Sequence, residues 1–345
     1  MTLTSTRRPP TNAVTRLTGQ FFHSRETGIL AALVIVIAVS TLVNPTFLFS
    51  SDGFRDLLLT PSILILIAVG QAMVIITRSV DLSVGSVVGL TAYLAGRLFI
   101  DVPGIPIIVV FLVAMAAGAM LGLVNGLLVA YGKVPALVIT LGTLYAYRGI
   151  NVLWTGSDRI NSSDMPKAFL ALGTQTLLFI PSLTIIALVV VLAAGWYLRN
   201  RRGGRELYAI GSDPVAAELY GLNVTRRILV AFVLSGALAG LAGILFAARY
   251  GTTNSQTGTG LELQAVGAAV IGGVAIFGGS GTVYGAAIGA VLLLTINRAL
   301  PILGIQDFWQ QAVVGALIIG AIVLDRLLAL RLLRKLTSER QVSHD

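Results

Sequence analysis

Two sets of residues in this chain are placed to do chemistry. The first lies in the run GGRELYAIGSDPVAAELYGLNV at 203–224, the longest polar interruption in an otherwise apolar sequence. Asp213 can accept the orphan amide hydrogens that begin a helix, Pro214 tolerates a first helical turn, and Gly221 allows the left-handed exit that ends one. The expected product is a short amphipathic helix. Val215, Ala216, Leu219 and Leu222 would form its apolar ridge, and Glu218 and Arg205 would add charged rim contacts. Small Ala216 and Ala217 would let it sink into a groove on a partner. The chemistry expected here is protein docking. The alternative is a helix lying flat on lipid headgroups, and Glu206, Asp213 and Glu218 make it a poor binder of an anionic leaflet.

The second set is polar side chains embedded in apolar runs: Gln71, Asp81, Ser83, Asn125, Thr140, Thr143, Tyr145, Arg148, Asn151, Gln264 and Asn297. Hydroxyl and amide groups of this kind can exchange hydrogen bonds with a neutral, hydroxyl-rich solute along a translocation path. Each also has a structural use. Asp81 precedes Ser83 and Gly85 where a helix starts, so it can serve as a cap. Thr140 and Thr143 can bond back to their own helix. Arg148, inside an apolar run, is either a gate residue or an anchor near a membrane surface.

The elements that must carry these residues are membrane spans. Of 345 residues, 56% are hydrophobic and 11% charged, whereas a soluble domain carries about 25% charge. Apolar stretches long enough to cross about 30 Å of hydrocarbon recur along the chain. The fold class is an all-α, polytopic transmembrane bundle of about ten spans: 29–48, 57–77, 82–100, 106–131, 136–155, 176–198, 228–249, 262–279, 283–300 and 309–328. The weakest boundaries are 82–100 and 262–300, where glycine is dense and a broken or re-entrant helix fits as well. The transmembrane domain is 29–328, with a coupling segment at 199–227 and tails at 1–28 and 329–345.

The net charge of +9 sits mostly in loops, which is the positive-inside pattern rather than a nucleic-acid surface. Both tails, Arg78, Lys133 and the cluster Arg199, Arg201, Arg202, Arg205, Arg226 and Arg227 then lie in the cytoplasm. Arg97, Arg249 and Arg298 are exceptions, near the outer ends of spans. Glycines at GxxxG spacing (Gly118, Gly122 and Gly126; Gly281, Gly285 and Gly289; Gly85 and Gly89; Gly236 and Gly240) suit close backbone approach, either as tight packing or as smooth sliding faces. Glycine-rich runs at 81–100 and 271–285 hint at a weak internal duplication.

Several functions lack their residues. There is no cysteine, and His23 and His344 lie in the tails, so neither a metal site nor a Ser/His/Asp triad is expected. No phosphate-binding GxxxxGK[ST] loop is present, and no cofactor is expected. Intramembrane charge is scarce: the candidates are Asp81, Arg148, Glu262 and Asp307, most of them near span ends, whereas a proton- or sodium-coupled carrier usually places ionisable residues within its spans. Energy for uphill movement must then come from a partner. A secondary carrier that works alone is the competing reading.

These features resemble one family. VDLSVGSVVGLTA (80–92), KVPALVITLGTLYAYRGI (133–150), GRELYAIGSDPVAAELYGLNV (204–224), SGALAGLAGIL (235–245), LELQAVGAAVIGGVAIFGGSGTVYGAAIG (261–289) and FWQQAVVGALI (308–318) are similar to segments of membrane permease subunits of bacterial binding-protein-dependent ABC importers for ribose, xylose and similar monosaccharides. The likeness runs from about Asn44 to Arg326. One departure is Arg78-Ser79, where the family commonly has a Gly-Gly pair. The resemblance implies a multi-pass protein of the bacterial cytoplasmic membrane, paired with a second permease subunit, identical or not. It also implies a separate ABC ATPase that hydrolyses ATP, and a periplasmic or lipid-anchored sugar-binding protein. In that picture 204–224 couples the permease to the ATPase. Branched-chain amino acid permeases are more distant relatives with a similar cytoplasmic block, so the cargo stays open between the two.

Overall fold

In a computed structural model, residues 25–132 and 134–306 and scattered positions between 309 and 323 are described. The expectations for the tails, for Lys133 and Asp307, and for most of the span at 309–328 lie outside the described residues. The helices are α1 (Arg25–Val43), α2 (Thr46–Phe49), α3 (Ser51–Leu59), α4 (Pro61–Ile76), α5 (Val84–Asp101), α6 (Ile107–Gly132) and α7 (Ala136–Thr155). They continue with α8 (Lys167–Thr174), α9 (Ser182–Asn200), α10 (Arg202–Ser212), α11 (Pro214–Leu219), α12 (Val224–Tyr250), α13 (Leu261–Ile271) and α14 (Val283–Ile302). A two-stranded hairpin, β1 (Thr176–Leu177) and β2 (Ile180–Pro181), precedes α9.

Seven helices among the described residues are long and apolar enough to cross a membrane, with α3 and α4 counted as one. Two further apolar helices, in α1 and α13, are shorter. Every residue of α4 is buried, so it runs through the middle of the bundle. It is flanked by α9, α12, α13 and α14. By contrast, α6, α7 and α9 each leave most of their apolar surface exposed, and so form the rim.

Three expected spans differ from the structure. The stretch 29–48 is helical only to Val43 and breaks at Asn44-Pro45 before the short α2. The stretch 262–279 is helical only to Ile271 and then breaks into a loop at 272–282. The break follows from glycine: Gly273, Gly278, Gly279 and Gly281 all take positive φ. At about 1.5 Å per residue, α13 is roughly half a membrane long. The stretch 176–198 begins as the hairpin, and its helix starts only at Ser182, after Pro181. The glycine-rich run at 81–100 is helical from Val84, whereas 272–282 is loop, so the two halves of the supposed duplication do not share a backbone path here.

The glycine spacing has a direct consequence. A Cβ on Gly118 would lie 2.2 Å from the Gly236 carbonyl oxygen, and one on Gly236 would lie 2.3 Å from that of Gly118. Gly122 faces the Phe232 oxygen at 2.3 Å and Gly240 the Ala114 oxygen at 2.4 Å. Backbone therefore lies on backbone along the α6–α12 seam. Gly85 meets Gly258, and Gly285 and Gly289 meet Gly272 and Ala268.

The exceptional arginines have specific partners at the end of the bundle opposite the arginine cluster. Arg97 pairs with Asp101 at 2.7 Å. Arg249 reaches Asp56 at 3.8 Å. Arg298 donates to the Gly53 carbonyl at 2.8 Å and lies over the Phe47 ring. Each charge is held by a specific acceptor.

Candidate functional site

At the basic end, α10 and α11 form an elbow. Asp213 separates them in extended conformation, and its Oδ1 accepts the amides of Val215 and Ala216, both at 3.0 Å. Pro214 opens α11, and Gly221, at φ +77°, closes it. The Gly221 and Leu222 amides return to the Glu218 and Ala217 carbonyls, at 2.9 and 3.0 Å. Asn223 then caps α12 by accepting the Arg226 amide at 2.9 Å. Start and stop residues thus act as their types dictate.

The exposed side of α11 carries Val215, Leu219 and Tyr220, at 69%, 84% and 88% exposure. Glu218 and Arg205 also face out, and Ala216 and Leu222 are half-exposed. Arg205 donates back to the Asn200 carbonyl at 3.3 Å. Ala217, expected to sit in a partner's groove, instead faces the protein at 5% exposure and supports α11 from beneath. Tyr220 is an addition to the expected ridge. Its place directly after Leu219 at the open end of the helix was readable in the sequence.

The helix α10 was not anticipated, because its glycines read as loop. One face of it is buried: Gly203, Gly204, Glu206, Leu207, Ile210 and Gly211. A helical spacing of three and four joins these positions, and that periodicity was the available sign. Glu206 is the hub. Its carboxylate pairs with Arg202 at 2.7 Å and with Arg227, at the start of α12. Tyr208 donates to the Gly281 carbonyl at 2.9 Å, tying α10 to the glycine-rich loop.

Burial alone would raise the Glu206 pKa. Hydrogen bonds and charge from Arg227 and Arg202 outweigh it and hold the carboxyl below its ordinary value. A depressed pKa means that the unfolded chain takes up the proton first. The clasp therefore contributes stability above the unfolded value of about 4 and loses it as pH falls through the lower folded value. In Glu206→Gln, the unfolding midpoint at pH 7 is expected below wild type, with the two chains converging as pH is brought below about 4. Thermal unfolding in detergent across pH measures this.

The second candidate set divides in two. Gln71, Asp81, Ser83, Asn125 and Thr140 come together where the chain breaks between α4 and α5. Asp81 Oδ1 accepts the Ser83 amide at 3.0 Å and its hydroxyl at 2.7 Å. Asn125 Nδ2 donates to Ser83 Oγ at 2.7 Å and to Asp81 at 3.3 Å. With its nitrogen toward the Asp81 carbonyl, the Gln71 amide bonds the Asp81 backbone twice, at 3.1 and 3.2 Å. Thr140 donates to the Val80 carbonyl at 2.9 Å. Tyr147, absent from the expected set, adds a bond to Asn125 Oδ1 at 3.3 Å. Thr140, Thr143, Tyr147 and Asn151 are all buried along one face of α7, and that spacing made Tyr147 findable. These groups are largely spent on one another and on local backbone. They form a lock that holds the chain break; the N-cap of α5 is Ser83, and Asp81 holds the amide and hydroxyl of that residue rather than the first amides of the helix.

Farther along α7, Arg148 donates to the Thr257 carbonyl at 2.8 Å and Asn151 to that of Ser255 at 3.3 Å. Both hold the segment 251–260, which enters the bundle and places Gly258 against Gly85. Glu262 accepts the Gly260 amide at 3.1 Å at the start of α13. Thr143 bonds back to the Thr140 carbonyl at 3.3 Å, as its type allows. Tyr145 points outward on α7 at 69% exposure. Gln264 and Asn297, both half-buried, belong to neither cluster.

Residues 53–322 match the family model described as the branched-chain amino acid transport system / permease component. The chain is 38% identical over 302 residues to the autoinducer 2 import system permease protein LsrC of Enterobacter sp. (strain 638), covering 88% of this chain and 87% of that one. It is 37% identical over 318 residues to the protein of the same name from Salmonella typhimurium, covering 92% and 90%. It is 36% identical over 303 residues to that from Yersinia pseudotuberculosis, covering 88% and 85%. No solved structure matches the chain.

Proposed function

The chain belongs to the family of ABC import permease components, and from that premise we propose that it forms the translocation path for a monosaccharide-type solute: a pentose, a hexose or a related polyol. The permease role follows from family membership across 53–322 and from the apolar bundle. The cargo class rests on the resemblance of the motifs to sugar permeases. The relatives named for autoinducer 2 import, and not for amino acids, favour it over the branched-chain amino acid alternative.

The single observation that carries the energy source is the capped, outward-facing ridge of α11 in a chain with no nucleotide-binding loop. In this reading the basic end is cytoplasmic, and Val215, Leu219 and Tyr220 dock on an ABC ATPase, with Ala216, Glu218 and Arg205 at the rim. A second permease subunit covers part of the exposed α6–α7 rim, and a solute-binding protein delivers cargo at the opposite end. Among the candidate path residues, Tyr145, Arg148, Gln264 and Asn297 keep accessible surface and are assigned to the path or its approaches. The buried group at Asp81 supports it.

The test is to purify the chain from its own cells in mild detergent and identify its companions. Uptake of labelled pentoses, hexoses, polyols, autoinducer 2 and branched-chain amino acids is then compared with and without the gene. An ATPase companion with loss of sugar-type uptake is expected. Gradient-driven uptake by the chain alone, or loss of amino acid uptake only, would sink the proposal.

A further inference from the structure

Arg78 sits at the turn that ends α4, in left-handed conformation with φ +63°. That region favours glycine, because a Cβ there crowds the following carbonyl. The strained position aims the side chain across the basic end. Its Nε donates to the Gly211 carbonyl at 2.6 Å, and one terminal nitrogen donates to that of Ser212 at 2.5 Å. These are the last two carbonyls of α10, which lack an amide partner farther along that helix and carry the negative end of its dipole. A planar guanidinium satisfies both at once. The next residue is Asp213, the cap of α11.

The backbone around Arg78 is equally tied. The Gly279 amide donates to the Ile76 carbonyl at 3.0 Å. A Cβ on Gly211 would lie 1.7 Å from the Ile76 oxygen, and one on Gly278 would lie 2.5 Å from Arg78 Cγ. Three residues beyond Arg78, Asp81 enters the buried lock with Gln71, Ser83 and Asn125. One side chain thus joins the docking elbow to the chain break at the centre of the bundle.

We propose that Arg78 is a positioning residue for coupling: it ties the α10–α11 elbow to the α4–α5 break, so that movement imposed on α11 reaches the Asp81 lock. This rests on the reading of α11 as the ATPase-docking element. Arg78→Gly removes the tether and relieves the left-handed strain, so the chain is expected to fold and to assemble with its ATPase. In proteoliposomes holding the full complex, basal ATP hydrolysis is expected to stay within about twofold of wild type, while import per ATP falls about tenfold, the scale of an ordinary coupling interaction. The solute assayed is the labelled pentose or hexose that the wild-type complex imports. Arg78→Lys, whose point charge reaches one carbonyl at a time, is expected to fall between. Hydrogen exchange should quicken at 214–221 in Arg78→Gly with the Asp81 region folded. Wild-type coupling in Arg78→Gly overturns the inference, and so does failure of that variant to assemble, which would make Arg78 merely structural. A wild-type chain that never pairs with an ATPase overturns the docking reading instead.

Discussion

Replacing Leu219 and Tyr220 together by aspartate should leave the chain inserted and folded but strip it of its ATPase partner and of uptake. Both side chains are almost fully exposed, so the isolated chain loses no packing when they change. The partner surface loses everything they would bury there. Burying a large apolar side chain is worth about 1.5–3 kcal/mol, so two of them carry roughly 3–6 kcal/mol of docking energy. At about 1.4 kcal/mol per tenfold, affinity should fall at least about a hundredfold, before the cost of burying two carboxylates is added. Ala216→Trp should act similarly by wedging the helix out of its groove. Glu218→Gln, at the rim, should mainly change the salt dependence of assembly. Co-purification of the ATPase, set against the amount of chain in the membrane, measures the effect. Normal assembly with Leu219 and Tyr220 both replaced would mean that α11 is not the docking surface.

The elbow shows which features a sequence exposes. Asp213, Pro214 and Gly221 act locally, through amides and φ angles within three residues, so their types alone fixed α11. The long apolar spans were equally legible, because length and hydropathy set them against a bilayer of known thickness. What stayed hidden depended on distant partners. Gly203, Gly204 and Gly211 suggest loop by type, yet they lie in a helix, and glycine stands there because Tyr197, Leu198 and Ile76 come too close to admit side chains. Glu206 read as a surface charge until Arg227, 21 residues away, came to face it. Asp81, Ser83 and Asn125 carried the composition of a solute path, but the fold turns them on one another. Composition names the groups that can hydrogen-bond. Only the packing decides whether their partner is a solute or a neighbour.

The glycine seam yields the other large effect: Gly236→Val should unfold the bundle at a markedly lower temperature. In lipid, no hydrophobic force drives one apolar helix against another, so α6 and α12 hold together by close packing. At Gly236 the nearest neighbours are backbone, the Gly118 oxygen at 2.3 Å and the Gly122 Cα at 2.9 Å from a built Cβ. Backbone cannot rotate aside as a flexible side chain can, so the seam must open along its length and loosen the contacts at Gly122 and Gly240 with it. Overpacking costs about 1–3 kcal/mol for added methylenes in an ordinary core, and a β-branched side chain against rigid backbone belongs at or above the top of that range. For a chain of this size the unfolding midpoint should drop by at least about 4 °C. Gly142→Val on α7 is the matched control, since nothing lies within 4 Å of a Cβ there. That substitution should leave the single chain's stability nearly unchanged. Gly236→Ala separates tight packing from a sliding face. If the seam is static, transport should decline only as far as stability does; if the helices slide past one another, transport should fail in chains that remain folded.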